Sequence, residues 1–373
     1  MICHVVPKTY LKSWKPNTGN ASDIYVFDKT SDAFCSKNVN NLVGTNFAEK
    51  SEYILDMYKC AEHEAFYNVF ENIFNEVSLR YSLKYNNIDV TTVKDFMHVI
   101  KYLGDTTKIQ VINKSDNSQY KVKKTKAYIE QIWRKDVSTI IEDFFSNCYE
   151  NKWDGFRIYI EQESAKNATI NISCYYDYLI EFLAVQKLRV KNNTDGVNSA
   201  IMSVLSSLLK RGNKTVTLSP DILLFSNLYG YAEYKKSSDK KYEDNLVSIH
   251  INQIKTNKIK LFLLKSIGTE FITTDNPYVI VNERKQKYSS EYEGLFFPIS
   301  PNLCLFGSPC ESISCSDMPV IAVDSVVASY VNHILKTEAS KNYVSRQSDS
   351  KPQFSKTIPV GLLNRNFKDS GFH

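Results

Sequence analysis

His4 is the first residue of the sequence with a side chain suited to proton transfer. An imidazole titrates near neutral pH, and Pro7 would stiffen the segment that presents it. We therefore assign His4 a catalytic role as general acid or base. The alternative is a histidine that hydrogen-bonds backbone groups where the amino-terminal segment docks, because an imidazole becomes catalytic only beside a positioned partner.

A second candidate for chemistry is Asp275, in the polar segment Phe271–Pro277 between two strand-like runs. A carboxylate at the end of a strand can bind a metal ion or orient a histidine, which makes Asp275 the catalytic partner of His4. We assign the neighbouring Asn276 to substrate binding. The alternative for Asp275 is a turn in which its carboxylate only accepts backbone N–H groups, since Asn-Pro favours turn geometry.

Gln186 and Arg189 lie on a helix predicted over residues 174–190. Leu179, Leu183 and Gln186 follow one another at spacings of four and three, so Gln186 continues the apolar stripe and Arg189 lies one step further. Polar groups on a buried face need partners, and a guanidinium grips a phosphate through two parallel hydrogen bonds. We assign both residues to substrate binding; the alternative for Arg189 is an internal ion pair.

Eight cysteines are scattered along the chain without a Cys-x-x-Cys pair, which favours reduced thiols over a disulfide framework. A zinc ion needs three or four nitrogen or sulfur ligands. The best local sets are Cys3-His4, Cys60 with His63, and the trio Cys304, Cys310 and Cys315. None is complete, so the metal ligands stay unassigned, and a divalent metal ion is the one cofactor that we consider.

The net charge of +5, from 46 basic and 41 acidic residues, permits an anionic partner without requiring one. Three lysine-rich clusters in predicted loops are suited to following a phosphate backbone, although lysines also keep loops hydrated. They cover residues 121–126, 235–241 and 284–287. Nucleic acid is therefore a candidate partner.

Several well-known catalytic motifs are missing from the sequence. No two glycines lie closer than ten residues apart, which excludes the Gly-x-Gly-x-x-Gly dinucleotide loop and the Walker A phosphate loop. There is also no His-Glu-x-x-His motif and no Gly-x-Ser-x-Gly motif. No apolar run approaches the roughly 18 residues of a membrane span, so we expect no membrane.

The hydrophobic pattern predicts an α+β fold. Apolar residues every three or four positions predict one long helix over 49–85 and further helices over 92–103, 125–149, 174–190, 197–211 and 324–337. Residues 105–124 have no such pattern and are predicted as a polar, lysine-bearing connection. Alternating runs predict strands over 23–28, 156–161, 168–173 and 343–344. Beyond Lys258, apolar runs separated by turn residues predict an antiparallel β meander.

We predict a single α+β domain over residues 1–373, with the mostly helical amino-terminal two-thirds packed on the meander. The helical part covers about 49–255, and the β-rich part covers 1–48 and 256–345. We expect the strand at 23–28 to join the meander and close one α+β unit.

Five short motifs follow one another along the chain: His4-x-x-Pro7-x-x-Tyr10-Leu11, Ile24–Lys29, Gln186-x-x-Arg189, Phe271–Pro277 and Phe297–Pro301. In this order they resemble a large uncharacterised bacterial family with a domain-of-unknown-function label, whose members open with His-x-x-Pro-x-x-Tyr-Leu and carry a later Thr-Ser-Asp-Asn-Pro motif. Thr274 stands where that pattern has serine. The resemblance spans most of the chain and implies a bacterial or mobile-element origin and an association with defence or toxin modules.

Our leading hypothesis is a cytosolic hydrolase, a nuclease-like effector of a bacterial antiviral defence or toxin system. His4 would act as acid or base, Asp275 would orient it or bind a metal, and Arg189 with Gln186 would grip a phosphate. This requires the amino-terminal segment to cross the meander beside residues 271–277.

The first alternative is a non-enzymatic sensor or adaptor that binds a phage or host protein, in which the same polar residues only hold helices and strands together. The second is a small-ligand binding module, for which we would expect an apolar pocket with few polar groups. A protein from the same operon is a further candidate partner. The first residues lack the charged-then-apolar order of a secretory leader, which favours a cytoplasmic location.

Overall fold

The computed structural model describes residues 2–4, 6–16, 23–42, 48–50, 57–62, 66–189, 231, 246–256, 259–281, 294–309, 316–347 and 353–356. The predicted helix at 197–211 and the lysine-rich clusters at 235–241 and 284–287 lie outside the described residues. The chain divides into two compact units, which we describe separately. The first unit comprises Ser51–Phe144 and Val216–Lys241 with Met1, and the second comprises Ile2–Lys50, Phe145–Thr215 and Tyr242–His373. The assignment of the chain as a single domain stays a prediction.

The described strands, numbered along the chain, are β1 Ile2–His4, β2 Asp23–Asp28, β3 Phe34–Asn38, β4 Ala48–Lys50, β5 Tyr81–Tyr85, β6 Ile88–Asp89, β7 Ile109–Asn113, β8 Gln119–Tyr120, β9 Thr169–Asn171, β10 Ile259–Ser266, β11 Thr273–Thr274, β12 Val279–Val281, β13 Gly294–Ser300, β14 Leu303–Pro309, β15 Asp317–Val323 and β16 Asn342–Ser345. The described helices are α1 Lys8–Leu11, α2 Met57–Cys60, α3 Tyr67–Arg80, α4 Val93–Ile100, α5 Val122–Phe145, α6 Asn151–Ser164, α7 Tyr176–Arg189, α8 Leu246–Thr256 and α9 Ser325–Glu338. The fold class is α+β, as predicted.

The second unit contains a six-stranded sheet in the order β12-β13-β14-β10-β15-β9. Its strands pair antiparallel except β10 and β15, which run parallel. All seven residues of β13 are buried, which matches its position inside the sheet. The predicted antiparallel meander is therefore present in the consecutive strands β12, β13 and β14, with β10 beside β14, whereas the predicted run at 271–273 pairs elsewhere as β11.

Strand β2 joins a second sheet of this unit, in the order β11-β16-β2-β3. It pairs antiparallel with β16, which in turn pairs with β11 at Thr273 and Thr274. The amino-terminal strand therefore reaches the Phe271–Pro277 segment through the carboxy-terminal strand β16. It does not pair with the strands of the six-stranded sheet.

Helix α9 packs with both sheets in a core that is rich in aromatic residues. Phe27 of β2 stacks on Tyr343 of β16, with ring centroids 4.9 Å apart and planes inclined by 7°. Val331 and Leu335 of α9 belong to the same buried cluster. Burying each such side chain contributes about 1.5–3 kcal/mol, so this core fixes the segment that connects α9 to β16.

Gly307 in β14 is a position where the fold has no room for a side chain. A Cβ there would lie 2.5 Å from Leu295 Cγ and 2.8 Å from Ile259 Cγ2. We expect Gly307→Ala to lower the free energy of unfolding by about 1–3 kcal/mol, because the sheet must shift to admit a methyl group. Urea denaturation measures this effect.

Gly155→Ala is the matched control in the same unit. A Cβ at Gly155, inside α6, meets no atom within 4 Å. The substitution should raise stability by about 0.5–1 kcal/mol, because alanine is the better helix former. Equal effects of the two substitutions would contradict the packing described for β14.

The first unit contains an antiparallel sheet in the order β6-β5-β7-β8. Helix α4 agrees with the prediction at 92–103, and its N-cap is Thr92, whose side chain accepts a hydrogen bond from the Asp95 backbone N–H at 3.2 Å. Phe74 of α3 packs against Phe96 of α4 with ring centroids 5.5 Å apart. The amino-terminal two-thirds of the chain therefore contain a sheet as well as helices.

The prediction of one long helix over 49–85 is wrong. Helix α3 ends at Arg80, and Tyr81 already has extended backbone. Tyr81 follows Val77 at the helical spacing of four, but it also begins the alternation Tyr81-Leu83-Tyr85 of β5. The connection predicted at 105–124 likewise contains β7 and β8, and the lysine-rich cluster at 121–126, which was predicted in a loop, lies at the start of α5.

The strand predicted at 156–161 is also wrong, because these residues lie inside α6. Phe156, Ile158 and Ile160 alternate, but Ile158 is 44% exposed. The residues that are buried are Trp153, Phe156 and Ile160, at the helical spacings of three and four. The strand predicted at 168–173 is present as β9.

Two further predicted helices are confirmed. Helix α7 agrees with the prediction at 174–190, and α9 agrees with the prediction at 324–337. Asp324 caps α9 by accepting hydrogen bonds from Val326 and Val327 N–H, both at 3.0 Å. Within the described ranges, no helix has the length and apolar character needed to cross a membrane.

Candidate functional site

The amino-terminal helix α1 meets the segment that precedes Asp275. The Tyr10 hydroxyl lies 2.6 Å from Thr273 Oγ1 and donates to the Pro298 carbonyl at 2.8 Å. Trp14 Nε1 donates to the Phe271 carbonyl at 3.0 Å. Both aromatic side chains are fully buried, so the two motif segments predicted to be neighbours are in contact.

Removing the Tyr10 hydroxyl tests this contact. Burial raises the pKa of Tyr10 well above its ordinary value of 10, so the group is a neutral donor at all working pH values. We expect Tyr10→Phe to lower the free energy of unfolding by about 1–2 kcal/mol, because the Pro298 carbonyl and Thr273 lose a buried partner. Thr273→Val in the Tyr10→Phe background should then cost less than it does alone, and additive effects in this double-mutant cycle would contradict the contact.

His4 lies in β1, a short strand that pairs antiparallel with β4 and places His4 opposite Ala48. Its side chain is outside the described part of the structure. The proton-transfer role of His4 therefore stays a prediction.

Asp275 is 1% exposed, and its carboxylate binds the backbone between α9 and β16. Its oxygens accept hydrogen bonds from the N–H groups of Ser340, Lys341 and Asn342 at 2.7, 2.8 and 2.9 Å. The Asp275 N–H donates in return to the Asn342 carbonyl at 3.1 Å. This carboxylate therefore ties two segments together that are distant in sequence.

Asn276 contributes to the same connection. Its Nδ2 donates to the Glu338 carbonyl at the end of α9 at 3.1 Å, and its N–H donates to Thr274 Oγ1 at 3.1 Å. Together with Asp275 it satisfies the backbone that follows α9. The assignment of these two residues to catalysis and substrate binding stays a prediction, and their contacts match the structural alternative.

Gln186 is 1% exposed on α7, as its place in the apolar stripe predicts. Arg189 is the last residue of α7, and its side chain lies outside the described residues. The neighbouring Lys187 brings this end of α7 to the Asp275 segment, because its Nζ lies 5.6 Å from the centroid of the Tyr278 ring. The helix of the Gln-x-x-Arg motif and the loop of the Asp-Asn-Pro motif therefore converge.

His250 of α8 completes a cluster with Lys187 and Tyr278. His250 Nε2 lies 3.1 Å from the Tyr278 hydroxyl, and Nδ1 lies 3.4 Å from Gln253 Oε1. With Nδ1–H donating to the Gln253 oxygen, Nε2 accepts from the Tyr278 hydroxyl. His250 and Tyr278 are 6% and 1% exposed, so this pair forms the buried wall behind Lys187.

The electrostatics of the cluster favour neutral groups. Burial, and then the nearby charge of Lys187, lowers the pKa of His250 to about 3, so its imidazole stays neutral at physiological pH. Burial alone lowers the pKa of Lys187 from 10.5 to about 8. Lys187 is partly buried as a residue, and the desolvation of its amine causes the shift. An amine with a pKa near neutrality is suited to general base or acid catalysis.

The described residues contain no group of three histidine, cysteine, aspartate or glutamate side chains close enough to hold a metal ion. Of the cysteines considered for zinc, Cys60 and Cys304 are buried. Burial raises the pKa of the Cys304 thiol, which opposes the thiolate form that binds metals. Cys3 and His4 lie in β1 with their side chains outside the described part of the structure, and His63, Cys310 and Cys315 lie outside the described residues.

Comparison with known proteins places the chain in a family. A family model described as "Protein of unknown function (DUF4238)" matches residues 4–350. The chain belongs to this family. No curated protein and no solved structure gives a significant match.

The Lys187 cluster of this DUF4238 chain was missed in the sequence. The three residues come from α7, α8 and the loop after Pro277, and no local spacing connects them. One signal was available, because Lys187 directly follows the buried run Leu183-Ala184-Val185-Gln186. A lysine beside a buried run either extends its ammonium group to solvent or buries it, and only the fold decides between the two.

Proposed function

We propose that this DUF4238 protein is a cytosolic hydrolase in which Lys187 is the general base, acting on phosphodiester bonds of nucleic acid. The observation that carries the proposal is the position of the Lys187 amine, 5.6 Å from the centroid of the Tyr278 ring, whose hydroxyl lies 3.1 Å from His250 Nε2. Burial at this position lowers the pKa of Lys187 to about 8, which supports the same role. Perturbed pKa values of this kind cluster at functional sites. The lysine-rich segment 121–126 and the excess of basic residues support an anionic substrate.

In the proposed reaction, the neutral Lys187 Nζ takes a proton from water while the water oxygen attacks phosphorus. The bond from phosphorus to the leaving oxygen breaks, and that oxygen takes up a proton from His4 acting as general acid. Arg189 holds the non-bridging phosphate oxygens, and the buried Gln186 supports this end of α7 from within the core. The products are a phosphomonoester and an alcohol. Lys187 then releases its proton to solvent, and His4 takes one up from solvent, so both residues return to their starting protonation states.

His250 and Tyr278 act as positioning residues in this proposal. The hydrogen bond between them fixes the ring against which Lys187 lies, and the neutral imidazole adds no second positive charge beside the amine. Asp275 and Asn276 act further back, because they hold the loop that leads to Tyr278. This role replaces direct contact of Asp275 with the reacting atoms.

The test incubates the full chain with single-stranded DNA, duplex DNA, RNA and a chromogenic phosphodiester, with and without a divalent metal ion. We expect cleavage of at least one substrate by the wild type and a loss of at least about 100-fold in Lys187→Met. Lys255→Met is the matched control, because Lys255 is a lysine of α8 whose ammonium group binds Asp177 of α7 through an exposed bond of 2.9 Å. Cleavage that is the same in wild type and Lys187→Met would refute the proposal.

A non-enzymatic sensor or adaptor is the second candidate function. It is supported by the burial of Asp275 and Asn276 and by their bonds to backbone groups, which are the contacts expected of structural residues. In that case no substrate in the panel is cleaved. A phage or host protein would instead bind Lys187→Met and wild type with equal affinity.

A further inference from the structure

A cleft of about 310 Å³ lies beside the last turns of α9, in the second unit. It is lined by Lys29, His333, Lys336, Thr337 and Phe354. This volume is at the lower end of the range of small-molecule sites and admits a phosphate with part of an attached molecule. The proposed hydrolase site uses none of these residues.

The charged groups around the cleft are mostly cationic. Lys336 Nζ lies 2.5 Å from Asp32 Oδ1, and Lys29 Nζ donates to the carbonyls of Thr337 and Ala339 at 2.7 Å each. Lys29 thereby offsets the negative end of the α9 dipole, which would otherwise repel an anion. Lys29 and Lys336 line the cleft, Lys356 acts electrostatically on His333 beside it, and the Asp32 carboxylate pairs with Lys336.

Aromatic rings hold the ammonium group of Lys336 in place. Lys336 Nζ lies 4.4 Å from the centroid of Phe354 and 5.3 Å from that of Tyr343. The Tyr343 hydroxyl donates to Asp32 Oδ1 at 2.8 Å, so the same carboxylate fixes both the ring and the ammonium. Preorganised cations lose little entropy when they bind an anion.

The protonation of the His333 imidazole depends on whether an anion is bound in the cleft. Burial, and then the charges of Lys356 and Lys336, lowers the pKa of its imidazole. Lys336 faces it from its own helix, Lys29 and Asp32 from the end of β2 and the following turn, and Lys356 from the segment 353–356. An anion among these groups offsets the repulsion from the lysines, and the imidazole then gains a proton more readily.

We propose that this cleft binds a dianionic phosphate group, as inorganic phosphate or as the phosphomonoester of a small metabolite. Lys29, Lys336 and Lys356 supply the attraction, Thr337 supplies a hydroxyl donor, and His333 supplies a third kind of donor once it is protonated. The binding site is independent of the hydrolase proposal and stands if that proposal fails.

The experiment is calorimetric titration of the full chain with inorganic phosphate, a nucleoside monophosphate, the uncharged nucleoside and sulfate, at constant ionic strength. We expect phosphate and the nucleoside monophosphate to bind and the uncharged nucleoside not to bind. Tighter binding of the monophosphate than of phosphate by at least about tenfold would identify a metabolite as the ligand, and equal binding would identify free phosphate. No binding of either phosphate compound would overturn the proposal.

Two variants locate the site. Lys356→Gln, an exposed residue, should weaken phosphate binding by at least about fivefold, and Lys341→Gln, an exposed lysine beside Asp28, should change it less than about twofold. Sulfate remains dianionic across the working range, so its affinity should rise at least about threefold from about pH 8 to pH 6 in wild type and stay constant in His333→Asn. Equal losses in both lysine variants, or the same pH dependence in His333→Asn, would contradict this assignment.

Discussion

Asp275→Ala should lower the free energy of unfolding by about 3–5 kcal/mol, the largest stability effect that we expect of any single substitution in this chain. The substitution removes the acceptors of three backbone N–H groups, at Ser340, Lys341 and Asn342, in a site where Asp275 is 1% exposed. A buried N–H group without an acceptor has lost its hydrogen bond to water and gains none in the protein, which destabilises the folded state. Because a domain has only about 5–15 kcal/mol of stability, much of the protein would unfold under mild denaturation.

Urea denaturation of Asp275→Ala, Asp275→Asn and Asp28→Ala measures this effect. Asp275→Asn keeps the shape but sets an amide NH₂ against backbone donors, so we expect a loss of about 2–3 kcal/mol. Asp28 also accepts two backbone N–H bonds, from Thr30 and Ser31 at 3.0 and 2.9 Å, but in an exposed turn. Asp28→Ala should therefore lower the urea midpoint much less than Asp275→Ala. Equal shifts in the two variants would show that the burial of Asp275 does not add to its effect.

Lys187→Met should lose hydrolysis and become more stable, which is the second large effect. The folded state lowers the pKa of Lys187 to about 8, so keeping this ammonium charged near neutral pH costs free energy. Methionine has no charge to desolvate, and we expect a gain of about 1–2 kcal/mol at pH 7. A purely structural lysine would give the opposite result, a loss of stability on substitution.

The pH dependence has a definite sign. Between the folded pKa of about 8 and the unfolded value of 10.5, the unfolded chain binds more protons at Lys187 than the folded chain. The contribution of Lys187 to stability therefore rises with pH across this window, and the advantage of Lys187→Met shrinks. Urea midpoints of both proteins at about pH 7 and pH 10 test this, and a constant difference between them would contradict the assigned pKa.

Local signals in the sequence predicted the parts of the fold that local interactions control. The periodicity predicted helices over 92–103 and 324–337, and α4 and α9 begin where expected, each with a side chain, Thr92 or Asp324, that accepts backbone hydrogen bonds at its start. Apolar runs separated by turns predicted β13 and β14, because buried antiparallel strands carry such runs. Tyr81 and Ile158 lie in segments whose apolar residues fit both the helical spacing of three or four and the strand spacing of two. Periodicity alone therefore predicted the wrong element in both places.

The candidate site was less predictable, because tertiary contacts form it. The burial of Gln186 followed from the stripe on α7, but the meeting of Lys187 with His250 and Tyr278 depends on how α7, α8 and the loop after Pro277 pack. Asp275 was recognisable as an acceptor of backbone N–H groups. Its donors come from residues 340–342, which no turn rule for the sequence around Asp275 identifies.

Titration of the Lys187 amine tests the central claim most directly. Protein labelled with ¹³C at lysine Cε gives one NMR signal per lysine, and the signal missing from Lys187→Met identifies Lys187. We predict that this signal titrates with a pKa of about 8, well below the ordinary lysine value of about 10.4. A Lys187 signal that titrates at the ordinary lysine value would contradict the account, because an ordinary ammonium at that position has no capacity to act as a base near neutral pH.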